Sequence, residues 1–345
     1  MSSKDNAITL FGEQSGLGAC VPVYEGGKKV LPASYSGQLI SIVGVKTTVG
    51  RFLPVSHEGD SNETYIDKVE LLGTRRAEFI ARKQKGIERR AHMRLFRDLT
   101  ERATKKPWQE SFKAWFENRA CEIPNQLCTL CWNDSLFGSL EAGKGATFSR
   151  IRYFDSYSVE GADECVAMLG SEEGMAIGNT VGEDLSKARG DASLHYYEYV
   201  KPGTHFPFIT IIENATLLDV AGLLQAMRMA DAHGYGKYSA NHGKFSTEVL
   251  AVAGGVPRFS VLDMLTWGAM GMGELRSRFD PTTPQVKFDA VSGGAAMAVY
   301  QPSAFDALSD ALSAQFDVYV GRVSNVVKPI AEAGAATQLK KRRGA

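Results

Sequence analysis

The sequence has no net charge: 39 Lys and Arg stand against 39 Asp and Glu in 345 residues. Nucleic-acid affinity comes from Lys and Arg replacing condensed counterions, so a zero balance argues against such a partner unless the charge is segregated. Long apolar runs are missing too. No stretch approaches the roughly 20 residues of a membrane helix. The start, MSSKDNAITLF, lacks the basic-then-apolar pattern of a secretion signal. A cytoplasmic protein without membrane contact is expected. Cysteines are few and odd in number: Cys20, Cys121, Cys128, Cys131 and Cys165 are unevenly spaced, which excludes a secreted disulfide framework and predicts reduced thiols. His-Glu-x-x-His and Gly-x-Ser-x-Gly are both absent, so nothing supports zincin or α/β-hydrolase chemistry. The length suits one large domain with insertions or two modest ones.

The charge is in fact segregated. From Thr74 to Lys106 twelve Lys or Arg face four acids, while Asp155 to Asp191 carries nine acids and two bases. A neutral chain can therefore still present a phosphate-binding face. Within the basic block Ile80, Ile87, Ala91, Leu95 and Leu99 recur at helical spacing, and Arg76, Lys83, Arg90, Arg94 and Arg97 follow the same spacing beside them. That pattern predicts one helix with an apolar stripe and a basic stripe, which Gly86 either divides or opens to a close ligand.

Strands are predicted at QLISIVGV (38–45), a buried β-branched run, and at FSRIRYF (148–154), with Arg150 and Arg152 on one face. Two more, at 195–200 and 205–213, are joined by a Lys-Pro-Gly turn. Residues 155–194 read as an acidic, glycine-rich excursion. Thr216 and Asp219 fit a capping box opening a helix whose buried face is Leu217, Val220, Leu224 and Met227. A glycine-rich loop, GYGKYSANHGKF, and a strand at 245–252 follow. Ser303 and Asp306 cap a further predicted helix, with a strand at 316–320 after it. The order of elements is that of an α+β domain.

Four motifs invite chemistry. Gly138-SLEA-Gly143-Lys144 has P-loop spacing, but Gly145 stands where Ser or Thr must hold magnesium. Gly234-Tyr235-Gly236 follows a helix and has Ser239 at the third glycine position, unlike a dinucleotide fingerprint. As a loop with Lys237, Tyr238, Asn241, His242 and Lys244, it suits either a polynucleotide backbone or plain solvent. Cys121, Cys128 and Cys131 include one metal knuckle, with His92 or His57 as a conceivable fourth zinc ligand, or are half-buried thiols. Asp60 and Asp67 lie in the polar loop after the first strand and could set a carboxylate beside RNA.

Taken in order, the motifs carry a family resemblance. Cys128-TLCWNDS-Leu136-Phe137-Gly138-Ser139, then Ser149 through Asp155, then Val200, Pro202, Gly203, Thr204 and Phe206, then the glycine-rich loop, resemble the motif series of the CRISPR RAMP superfamily. Lys85-Gly86 with Arg89-Arg90 is similar to its Lys-Gly-x-x-Arg element. Length and the long excursion resemble the guide-RNA backbone subunits of class 1 effector complexes, the Cas-seven group, in type IV or type I-D form.

The resemblance implies an α+β fold with a modified RRM-like (ferredoxin-like) palm, helical finger insertions and a thumb β-hairpin. The palm would comprise 1–53 and 195–330 with 148–155, the finger insertion 54–147 with the cysteine cluster, the thumb 156–193, and a basic tail 331–345. It implies guide RNA (crRNA), its paired target nucleic acid, further copies of the chain in a filament and other effector subunits as partners. The expected RNA-binding set is Arg51, Lys83, Lys85, Arg89, Arg90, Arg94, Arg150, Arg152, Lys237, Tyr238, Asn241, His242 and Lys244. Met168, Leu169, Met175 and Ile177 are the expected thumb wedges. No catalysis and no cofactor are expected. The alternatives are a type III-like endoribonuclease using Asp60 with a metal ion, and a stand-alone RRM-like RNA-binding module.

Overall fold

A computed structural model describes residues 39–54, 63–101, 132–141, 145–147, 149–169, 196–213, 215, 217–236, 241–280, 282–289 and 297–298. In chain order the elements are β1 (Leu39–Thr48), β2 (Glu63–Thr64), β3 (Lys68–Leu71), β4 (Thr74–Phe79), α1 (Ala81–Glu101), α2 (Trp132–Phe137), β5 (Ser139–Glu141), β6 (Gly145–Thr147), β7 (Ile151–Tyr153) and β8 (Ser156–Tyr157). There follow α3 (Ala162–Cys165), β9 (Val166–Leu169), β10 (Tyr196–Val200), β11 (His205–Glu213), α4 (Leu217–His233), β12 (Phe245–Gly254), β13 (Val256–Pro257), α5 (Val261–Ala269), α6 (Met272–Ser277), β14 (Phe288–Asp289) and β15 (Met297–Ala298). Helices and antiparallel sheet are mixed, so the expected α+β class holds.

The run LISIVGV is apolar at nearly every position because β1 is the middle strand of a sheet covered on both sides. The five-stranded order is β15-β12-β1-β11-β7, with β1 antiparallel to β11 and β12 and β7 antiparallel to β11. On one face Val43, Val45, Ile209 and Ile211 pack under Val261 and Met264 of α5, Leu275 of α6 and Phe279. On the other, Phe206 joins Ala91 of α1, Ala226 and Ala230 of α4, and the rings of Phe52, Phe79, Tyr235 and Phe245. Those rings meet edge-on in several pairs, with Phe52 4.7 Å from Phe79 and 4.8 Å from Phe245 between centroids. Each such buried ring contributes about 1.5–3 kcal/mol relative to exposure.

The basic helix forms as its spacing predicts, and Gly86 does not divide it. Asp155 accepts the Ala81 N–H at 2.6 Å and so satisfies one of the unpaired donors at its N-terminus. Arg76 is not on this helix. It lies in β4, buried, and donates to the carbonyls of Ser158 and Val159; extending the helical period backward had crossed the helix start at Ala81. The first part of the stretch read as an excursion is packed: β8 pairs with β4, and β9 with β10. Residues 170–195 lie outside the described residues, as do the helix and strand predicted beyond residue 302. The Lys201-Pro202-Gly203 turn sits between β10 and β11 as expected, with Gly203 at φ 84°. No helix among the described residues is long and apolar enough to cross a membrane.

Candidate nucleic-acid interface

The exposed side of α1 carries Arg82, Arg90, Arg94 and Arg97, with Lys83 half-buried among them. Lys85 lies lower, its ammonium donating to Ser149 Oγ at 2.7 Å; burial, then the charge of Arg89, pulls its pKa below the usual lysine range. Two expected phosphate ligands are engaged inside the protein. Arg89 pairs with the fully buried Asp134 at 2.9 Å and reaches Asn133, fastening α2 to α1. Arg150 grips the buried Asp219 at 3.0 and 3.2 Å, and the same carboxylate accepts the Trp132 indole N–H at 2.8 Å. Strand β7 begins only at Ile151, so Arg150 does not share a strand face with Arg152. Arg152 points outward and pairs with Glu213.

The glycine-rich loop closes against the end of α4, which itself meets the far half of α1. Lys244 Nζ donates to the His233 carbonyl at 3.0 Å, and Arg94 lies 3.3 Å from the His233 ring. Gly243 donates to the Arg51 carbonyl and accepts from the Tyr235 N–H. The Arg51 guanidinium lies over the Tyr199 ring at 4.9 Å. Asn241 is exposed; burial, then Arg51, holds the His242 imidazole below its usual pKa. Arg51, Arg94, Asn241, His242 and Lys244, spread over nearly 200 positions, therefore come to one surface. Lys237 and Tyr238 lie outside the described residues, as do Asp60, Met175, Ile177, Cys121, Cys128 and Cys131. Met168 and Leu169 lie in β9, in register with Glu198 and Tyr197 of β10.

Beneath this surface is a polar network that periodicity alone did not reveal. Lys46 of β1, 1% exposed, pairs with the fully buried Glu88 at 3.1 Å and donates to Tyr235 and Thr247. Glu88 also accepts from Tyr235 OH at 2.9 Å and Tyr153 OH at 2.6 Å. Burial and the Glu88 charge hold both phenols well above the ordinary tyrosine range. Asp231 of α4 accepts from Thr247. Two signals were present: a lysine inside an apolar strand, and Gln84, Glu88 and His92 spaced four apart on the face that α1 buries.

His92, a conceivable zinc ligand by sequence, is enclosed by Trp132 at 4.4 Å and Phe137 at 5.4 Å, with Nδ1 facing the Asn133 amide. Burial lowers its pKa to about 3, Asp219 opposing and Arg150 adding to that effect. Since the folded form binds fewer protons than the unfolded one, stability from this group is full above about pH 6.5. It is lost as pH falls toward 3, at up to about 1.4 kcal/mol per pH unit. His92→Phe should flatten the acid limb of a urea-midpoint profile, whereas an unchanged limb would assign it to other groups.

The Csc2 Crispr family model matches residues 29–267. The crystal structure of Thermofilum pendens Csc2 has a similar fold, with TM-score 0.62 and 16% identity, over 93% of this chain and 96% of that one. A chain of a "CRISPR RNA-guided surveillance complex, pre-nicking" gives TM-score 0.44 at 14% identity, over 79% of this chain and 99% of that one. A chain of a "Type IV-B CRISPR Complex" gives 0.37 at 14%, over 61% and 90%. No curated protein matches the sequence.

Proposed function

The chain belongs to the Csc2 CRISPR family, and from that membership we propose that it binds guide RNA without cleaving it, repeating along the guide as a helical filament within the effector complex. A place as a backbone subunit of a CRISPR complex accords with the resemblance of its motifs to the Cas-seven group of the RAMP superfamily.

The element order β1-α1-β7-β11-α4-β12, with α1 and α4 on one sheet face, supports the RRM-like reading of the palm. An RNA-recognition sheet stacks bases on the face its helices leave open. Here α5 and α6 cover that face, so the RNA is drawn along α1 and the glycine-rich loop instead. The convergence of Arg94 and Lys244 on His233 carries this reading. Lys83, Arg90, Arg94, Arg51 and Lys244 meet phosphates, and the glycine-rich backbone approaches the sugar-phosphate chain. Binding of this kind is salt-dependent and nearly indifferent to base sequence.

Replacing Lys83, Arg90 and Arg94 together by alanine tests it, leaving Arg89 and Arg150 in place because each neutralises a buried carboxylate. Single-stranded RNA affinity should fall on the order of 100-fold at moderate salt, and the log–log salt slope by about 2, at about 0.7 for each phosphate no longer neutralised. An unaltered slope would put the RNA elsewhere. With magnesium and complementary RNA the assembled complex should leave the target intact; regular cuts abolished by Asp60→Ala would make it an endoribonuclease.

A further inference from the structure

Phe154 is a large apolar side chain left 43% exposed at the end of β7, on the ridge between two hollows. One hollow, of 390 Å³, lies where the first turn of α1 meets β7, the edge strand of the main sheet. Ala81 and Ile151 supply apolar wall, Phe154 one side, and Arg82, Lys85 and Arg152 the charge. The other hollow, of 480 Å³, is lined mainly by apolar residues such as Leu71, Ile209, Ile211 and Leu262.

We infer that the basic hollow is a base pocket, taking one unstacked nucleobase of bound single-stranded RNA against the Phe154 ring, with the adjoining phosphate among Arg82, Lys85 and Arg152. The inference rests on the RNA-binding reading above. An aromatic platform beside several cations holds single strands without reading sequence, since every base has a π face. The size falls within the range of about 300–1,000 Å³ usual for small-molecule sites. Glu213 pairs with Arg152 and Asp155 accepts the Ala81 N–H, so Arg82 and Lys85 carry the net charge that the phosphate meets. Flanking contacts fix the backbone that carries the ring, because the Phe154 carbonyl accepts from Gln84 and the Tyr153 hydroxyl donates to Glu88. A platform set before binding loses little entropy when a base arrives. Along α1, Lys85 is about 14 Å from Arg94, so a strand leaving the pocket meets the glycine-rich loop within a few nucleotides.

The test uses the full chain and an oligouridine of about 12 nucleotides containing 5-iodouridine. Irradiation should cross-link the RNA to Phe154. Phe154→Ala should lose that adduct and bind about tenfold more weakly with an unchanged salt slope, while Phe154→Tyr keeps both adduct and affinity. Cross-links mapping elsewhere, with Phe154→Ala binding as tightly as the parent, would overturn the pocket while the slope change of the triple cation variant still upheld RNA binding. Altered self-association of Phe154→Ala with unaltered RNA affinity would likewise overturn it, assigning the ring to a protein contact. Failure of the parent chain to bind RNA at all would remove the underlying reading as well.

Discussion

Glu88→Ala should cost about 3–5 kcal/mol of folding stability, because it removes one partner of a buried ion pair and leaves the other in place. Lys46 would keep Tyr235 OH and Thr247 Oγ1 at 3.1 Å, and the Phe208 and Tyr235 rings at 5.0 Å, but no carboxylate in direct contact. Asp231, one hydroxyl away through Thr247, tempers the loss and places it toward the lower end. The phenols of Tyr153 and Tyr235 would both lose the acceptor they share. Tyr153→Phe, which deletes a single donor to that carboxylate, should cost only about 1 kcal/mol. Urea unfolding followed by intrinsic fluorescence reads both, as a lower midpoint at unchanged slope. If Glu88→Ala unfolded at the parent's midpoint, the network would not be what ties α1 to the sheet and to the start of the glycine-rich loop.

How far the sequence could be read shows in the same residues. The strand at QLISIVGV was legible because a central strand covered on both faces must be apolar almost throughout. The basic helix was legible because its stripe repeats at the helical period, and the Lys-Pro-Gly turn because few other conformations suit those residues. Glu88 was not. Polar residues at helical spacing are ordinarily solvated, and what makes this one tolerable is Tyr235, 147 positions away, with Tyr153, 65 away. Arg150 was misplaced for the same reason: the period of a strand says which face a side chain takes, not that Asp219 waits 69 positions on. Motif order identified the family where single motifs did not, since the P-loop spacing at Gly138 ends in β5 and β6 instead of following a strand into a helix. The helix α5 was written locally, in the capping box of Ser260 and Asp263 and the apolar face of Val261, Met264 and Leu265, but the sheet face that α5 and α6 cover was not, and that decides which surface is open to RNA in the proposed reading.

Gly243→Ala is expected to damage stability and RNA binding together, and a second glycine separates the causes. Gly243 has φ 68°, and a Cβ there would lie 1.8 Å from the Tyr235 carbonyl oxygen and 2.8 Å from its carbonyl carbon and nitrogen. No rotamer change relieves a clash between backbone atoms, so the loop must move. Movement breaks the 2.7 Å bond from the Tyr235 N–H to Gly243 and the 2.6 Å bond from the Gly243 N–H to Arg51. Strain in the left-handed region costs about 1–2 kcal/mol, and two buried hydrogen bonds add about 1–3 kcal/mol each if left unmade, for a total of at least about 3 kcal/mol. Gly73, in the β3–β4 hairpin, has nearly the same φ, 71°, with nothing within 4 Å of an added Cβ. Gly73→Ala should therefore show the backbone strain alone, about 1 kcal/mol, and bind RNA as the parent does. In Gly243→Ala the loop that carries Asn241, His242 and Lys244 shifts away from Arg51 and Arg94. RNA affinity by fluorescence anisotropy should then fall more than about tenfold, the equivalent of 1.4 kcal/mol, at temperatures where the sheet remains folded. Equal RNA affinity in the two alanine variants would mean that the loop's placement against the end of α4 does not matter to binding, and the surface built from Arg51, Arg94 and Lys244 would lose its role.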